Sequence, residues 1–198
     1  TFFFPASYIR SAIINTHPDI AAVSIFRNGL TGLSIKVNDR VPIARWCGSI
    51  YSPRVATSTS DCYVFDASGF IFSAVATSTQ TLNSFTLYAP LDIARGGLPA
   101  VSVVEPLRAT IAHAERLPSM FNFARQLDTL GSPVTKVVLR DDEVDDYLAS
   151  GTRITYVLGH ENIAFTALVS ARGNMNLADG SLEYIDLRFD GKVYLKKK

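Results

Sequence analysis

The stretch that most constrains this chain is its last, from Tyr184 to Lys198. Two runs of strand-forming residues flank Asp190-Gly191, a dipeptide that readily supplies the two positive φ angles of a tight hairpin turn. Ile185, Leu187 and Phe189 alternate with Tyr184, Asp186 and Arg188. One face of that run is apolar, and the other carries a ring, an acid and a guanidinium. The pattern predicts a β-hairpin ending in three lysines, with its last strand at the edge of a sheet. An edge strand is a row of unpaired N–H and C=O groups that must be covered or used. The expectation is that it is used, to bind another protein.

The chain has 198 residues, 47% of them hydrophobic, enough for a sizeable core in one or two domains. A net charge of +1 supplies no strong field toward nucleic acid or an anionic membrane. No basic run is interleaved with aromatics, so no nucleic-acid partner is expected. No apolar run reaches the ~18 residues of a membrane span. The opening Thr1-Phe2-Phe3-Phe4-Pro5 lacks both an initiator Met and the plan of a signal peptide, which points to a fragment or a processed form.

Along the chain, Ser7 to Thr16 has helical spacing, with Ile9, Ala12, Ile13 and Thr16 on one face, and Pro18 ends it at His17. Ile20 to Arg27 and Leu33 to Val37 read as two strands joined through Asn28-Gly29. Val41 to Cys47 is extended, and Pro42 marks an edge or a domain junction. Residues 48–61 form a polar loop. Cys62 to Asp66 and Phe70 to Val75 are strands about a turn at Ala67-Ser68-Gly69. Phe85 to Tyr88 is a short strand, and residues 92–98 are a flexible connection. From Glu105 the positions Leu107, Ile111, Ala114 and Leu117 fit a helix, broken by Pro118. A second helix follows, capped by Ser119, with Phe123, Leu127 and Leu130 inward. Val134 to Arg140 is a strand. The acidic run Asp141 to Asp146 reads as a solvated turn or a short helical start. Ile154, Tyr156 and Leu158 mark a strand, and Asn162 to Arg172 a helix with Ile163, Ala164, Ala167, Leu168 and Ala171 facing in.

Cys47 and Cys62 have neither zinc-site nor redox-motif spacing. Two buried thiols and one disulfide both fit. Pairing of the strands at 43–47 and 62–66 would bring the sulfurs together and favours the disulfide. That bond would close a loop of about fifteen residues, stabilise by ~3 kcal/mol and place the chain outside the cytosol.

Catalytic signatures are missing: no phosphate-binding loop, no nucleophile elbow and no zinc-protease helix. His17, His113 and His160 are scattered. The acids at 141–146 lack the glycine and terminal glutamate of a calcium loop. Nothing selects a catalytic pair from the eighteen acids. No cofactor and no metal are expected, and an enzyme is possible but unsupported by these residues.

Four separated segments resemble one family: HPDIAAVSIFR (17–27), LSIKVNDRVPIARW (33–46), CYVFDASGFIF (62–72) and YIDLRFDGKVY (184–194). In order and spacing they are similar to the extracytoplasmic part of the bacterial cell-division protein FtsQ/DivIB. Asn38-Asp39 stands where that family usually has Glu, and the Cys pair is a subgroup feature. The resemblance implies an α+β fold. Residues 1–44 would be a partial POTRA-like helix and hairpin lacking its first strand. Residues 45–198 would be a mostly antiparallel β domain with helices on one face. It also implies a membrane helix upstream, a place on the extracytoplasmic face of the cell membrane at the septum, and no small-molecule substrate.

The implied function is that of a scaffold for FtsB- and FtsL-like division proteins that helps regulate septal peptidoglycan synthesis. Partners would add a strand to the C-terminal edge. The implied interface residues are Tyr184, Asp186, Arg188, Phe189, Lys192, Val193, Tyr194 and Leu195, with Lys192 to Leu195 as the receiving strand. Two other functions compete: a POTRA-type module binding polypeptides for export or assembly, and an unrecognised cell-wall hydrolase.

Overall fold

The computed structural model describes residues 5–29, 32–49, 62–75, 80–92 and 106–198. Most of the expected loop at 48–61, most of the connection at 92–98, and residues 1–4 lie outside those residues. The fold is α+β. Helix α1 (Ala6–Thr16) is followed by β1 (Ile20–Asn28) and β2 (Gly32–Asp39), an antiparallel pair in which Val23 faces Val37 and Ile25 faces Ile35. Helix α1 stops at His17, whose φ of −120° is the extended conformation imposed by the following proline.

The remaining strands are β3 (Ala44–Trp46), β4 (Tyr63–Phe65), β5 (Ile71–Ala74), β6 (Thr86–Tyr88), β7 (Val134–Arg140), β8 (Glu143–Leu148), β9 (Arg153–Val157), β10 (Leu182–Asp186) and β11 (Tyr194–Lys197). They form one nine-stranded sheet in the order β11-β10-β9-β8-β7-β6-β3-β4-β5. Five neighbour pairs are antiparallel, and three are parallel: β9–β10, β6–β7 and β3–β6.

Helices α2 (Leu117–Asp128) and α3 (Glu161–Ala171) cover one face. Leu117, Met120, Phe121, Phe123, Ala124 and Leu127 of α2 are all buried, the stripe an amphipathic helix lays on a sheet. The Phe123 ring centroid lies 4.4 Å from that of Tyr156 and 6.4 Å, edge-on, from that of Phe165. Trp46 is core, and its indole N–H donates to the Ala89 carbonyl at 2.9 Å.

Three expectations need correction. The helix expected from Glu105 to Leu117 does not form over residues 106–113. Thr110 and Ile111 make isolated bridges to Phe70 and Leu91, and positive φ at Arg108 and His113 breaks helical continuity. Pro118 does not end a helix but sits in the first turn of α2, where its missing N–H would have had no intrahelical partner. Ser119 is accordingly inside α2, its hydroxyl bonded to the Arg116 carbonyl. The acidic run is not a solvated turn. Only Asp141 and Asp142 turn, with Asp141 at φ 47°, while Asp145 and Asp146 lie in β8 and are 3% and 0% exposed.

The two sheets part between Asp39 and Ala44, and Arg40 holds the junction. Its backbone N–H donates to Asp19 O and its Nε to Pro18 O. Its guanidinium pairs with Asp66 and lies 4.2 Å from the Phe70 ring centroid. Burial pulls the Asp66 carboxyl up, but hydrogen bonds from Ser68, Arg40 and Phe70 outweigh it and hold the group below its usual range. Gly69, at φ 75°, lets this turn approach Ala114, whose Cβ would be 2.8 Å from any Cβ placed there.

Strands β3 and β4 pair with Trp46 opposite Tyr63, and Cys47 and Cys62 are joined in a disulfide just beyond them. Both are buried. Replacing both with serine is expected to lower the unfolding free energy by ~3 kcal/mol in denaturant titrations, mainly by loosening the unfolded chain. An unchanged midpoint and slope would refute that contribution.

Candidate functional site

The sheet ends at β11. On one side it pairs with β10, Ile185 opposite Leu195 and Asp186 opposite Tyr194. On its other side no strand pairs with it among the described residues. Ile185 and Leu187 go into the core, which settles the buried face of this segment. Phe189 does not follow them: β10 stops at Asp186, the chain has turned away, and the ring is 53% exposed.

The turn also differs from the expected two-residue hairpin. Lys192 N–H donates to Phe189 O, and Gly191 alone has a positive φ, 69°, while Asp190 does not. Positive φ at only the third residue of a four-residue turn is the type II pattern. A wider loop therefore joins the strands, and β11 begins at Tyr194. Lys192 and Val193 precede the strand rather than forming part of it: Lys192 is exposed, and Val193 packs against the core.

Arg188 is the most constrained side chain here. Its Nε and Nη2 donate to the two oxygens of Asp186, at 2.9 and 2.6 Å, and Nη1 donates to Glu143 at 2.7 Å. Glu143 also meets Arg140 at 3.2 Å, and Arg140 meets Asp145 at 2.9 Å. A charge-alternating chain thus crosses the open sheet face from β7 to the terminal turn. Hydrogen bonds from Arg188 hold the Asp186 carboxyl below its usual range, and Asp186 and then Glu143 push the guanidinium further up. Three of the five guanidinium N–H groups are taken, which leaves two for a ligand among the described contacts. Nearby, the Arg153 guanidinium lies 5.7 Å from the Tyr184 ring centroid, and Lys196 pairs with Glu183 at 2.7 Å.

Phe189 and Tyr194 stack edge-to-face at 5.3 Å, and Tyr194 and Leu195 are 49% and 38% exposed. On the helix side, a groove of ≈ 650 Å³ runs between α3 and the terminal turn, lined by Ile163, Thr166, Ala167, Ser170, Gly191 and Val193 among others. Ile163 was expected to face inward but is 50% exposed and lines this groove.

The structure therefore brings Arg188, Asp186, Phe189, Tyr194 and Leu195 to one edge. It keeps Val193 against the core and adds Glu143, which sequence reading did not single out. Glu143 lies 45 residues from Arg188, and no local signal connects them. No protein-family model and no curated protein matches the sequence.

A double-mutant cycle with Arg188→Ala and Glu143→Gln is expected to give a coupling of ~0.2–1 kcal/mol in folding stability, as for exposed pairs. A value several-fold larger would mean that the pair is a structural support rather than a surface contact.

Proposed function

We propose that this chain is a non-enzymatic scaffold that receives a strand from a partner protein along the open edge of β11. The observation that carries the proposal is the position of β11. It is the last strand of a nine-stranded sheet, it carries the exposed ring of Tyr194, and it is preceded by Arg188 and the exposed ring of Phe189. Added strands take their affinity from main-chain hydrogen bonds and their specificity from side chains on either face. Here the outer face offers Tyr194 and the two spare Arg188 donors, and the helix side offers the Ile163–Val193 groove. The partner best suited would carry an acid toward Arg188 and an apolar side chain toward the groove.

The resemblance to the FtsQ/DivIB ectodomain gives this reading its biological form. The partners would be FtsB- and FtsL-like division proteins, and the setting the extracytoplasmic face of the cell membrane at the septum, upstream of peptidoglycan synthesis. The Cys47–Cys62 bond supports an oxidising compartment. The strand that would receive the partner is β11, Tyr194–Lys197, in place of the expected Lys192 to Leu195.

Binding of the cognate FtsB and FtsL ectodomains to wild type, to Arg188→Glu and to a chain cut after Phe189 tests the proposal. Charge reversal is expected to weaken binding roughly tenfold or more, about 1.4 kcal/mol. The cut chain, checked for an intact fold, is expected not to bind. Unchanged affinity in both would overturn the edge as the docking site.

A further inference from the structure

Asp146 is the least expected side chain of the core. It stands in the middle of β8 on the helix-covered face, between Val137 of β7 and Ile154 of β9. All three are fully buried. No described group hydrogen-bonds either of its carboxyl oxygens, and the buried Tyr156 hydroxyl on the same face of β9 has no described partner either.

The third polar group is Glu161, the first residue of α3, which is 6% exposed. Its Oε1 accepts the Gly159 N–H at 2.9 Å. Asp145 points to the opposite face, where Arg140 and Thr155 satisfy it. From α2 comes Phe123, against Tyr156. The Arg116 guanidinium lies beside Gly159, but among the described residues no ion pair joins a cation to Asp146 or to Glu161. Burial, reinforced by Asp145 and Glu161, pushes the Asp146 carboxyl well above the ordinary carboxylate range. Burial and the charges of Asp146 and Glu161 push the Tyr156 hydroxyl up as well. A carboxylate at this point would be desolvated, unpaired and faced by other acids.

We propose that Asp146 is carried in the folded protein as the neutral acid, so that the seating of α3 over the β8–β9 pair takes up a proton. This inference does not rest on the docking reading. Its sign is fixed by linkage. The unfolded chain releases the Asp146 proton near pH 3.9, and the folded chain keeps it to higher pH. The contribution is complete below the unfolded value and is lost as pH rises toward the folded one. Asp66 and Asp186 have the opposite sign, but their effect falls below the ordinary carboxylate range.

Denaturant unfolding of wild type and Asp146→Asn from about pH 5 to about pH 8 tests the proposal. The difference between the two removes the histidines, which both proteins share. The unfolding constant of wild type is expected to rise relative to the variant by up to tenfold per pH unit. A pH-independent difference would overturn the proposal. If Asp146→Asn does not fold, wild type alone decides. Infrared spectra at neutral pH must show the carbonyl stretch of a protonated carboxyl, shifted by deuteration, and its absence would equally overturn the assignment.

Discussion

A single ladder of backbone hydrogen bonds runs from β5 to β11, and the other parts of the main domain are fitted to it. Two helices close one face over a continuous core that includes Phe65, Leu87, Phe123, Leu127, Ile154 and Leu168. The opposite face is left to charges and rings held in pairs across the strands, such as Lys136 over Tyr147 and Arg140 with Asp145. An open sheet must end somewhere. Here one end is the short β5, and the other is β11, with side chains that are exposed along its whole length. Protection of such an edge ordinarily comes from charge, and Lys196 and Lys197 supply it at the far end of β11. Tyr194 and Leu195, nearer the turn, are not protected in that way.

Strand β8 shows how far strand alternation decides the fate of identical residues. Asp145 and Asp146 are adjacent in the chain and almost equally buried. Asp145 faces the charged side, accepts a hydrogen bond from Thr155 at 2.6 Å and pairs with Arg140. Asp146 faces the apolar side and meets no donor among the described residues. A one-residue step along a strand turns a satisfied acid into an orphaned one.

Much of this architecture is legible in the sequence because strand and helix periods are strong over the segments that form it. The α1–β1–β2 order, β7, the α3 segment and the disulfide follow from alternation, prolines and paired strands. Other features are not legible, for identifiable reasons. In EVDDYL (143–148), Val144, Asp146 and Leu148 share a face, so the strand period is present, but an acid at the core position masks it. Residues 106–113 carry apolar groups at helical spacing, yet their backbone hydrogen-bonds to Gly69, Ile71, Pro90 and Asp92, contacts set by tertiary structure alone. At the candidate site, the alternation of Ile185 and Leu187 with Asp186 is readable. The departure of Phe189 from the core is not, because it depends on where β10 stops. The tie between Glu143 and Arg188 joins β8 to the turn beyond β10, which no local pattern encodes.

The junction at Arg40 has a mechanical consequence. The chain leaves the amino-terminal unit through Arg40 and enters the large sheet at β3, an interior strand bonded to β4 on one side and β6 on the other. Force pulling β3 along its own axis must slide it against both neighbours at once. The bonds to both neighbours then share the load, and the Cys47–Cys62 bond blocks slippage against β4 covalently. Force applied across the β11 edge acts instead on one strand that, among the described residues, is held from one side, where bonds open singly. The same geometry makes the large sheet resist pulling at β3 and yield along its terminal edge.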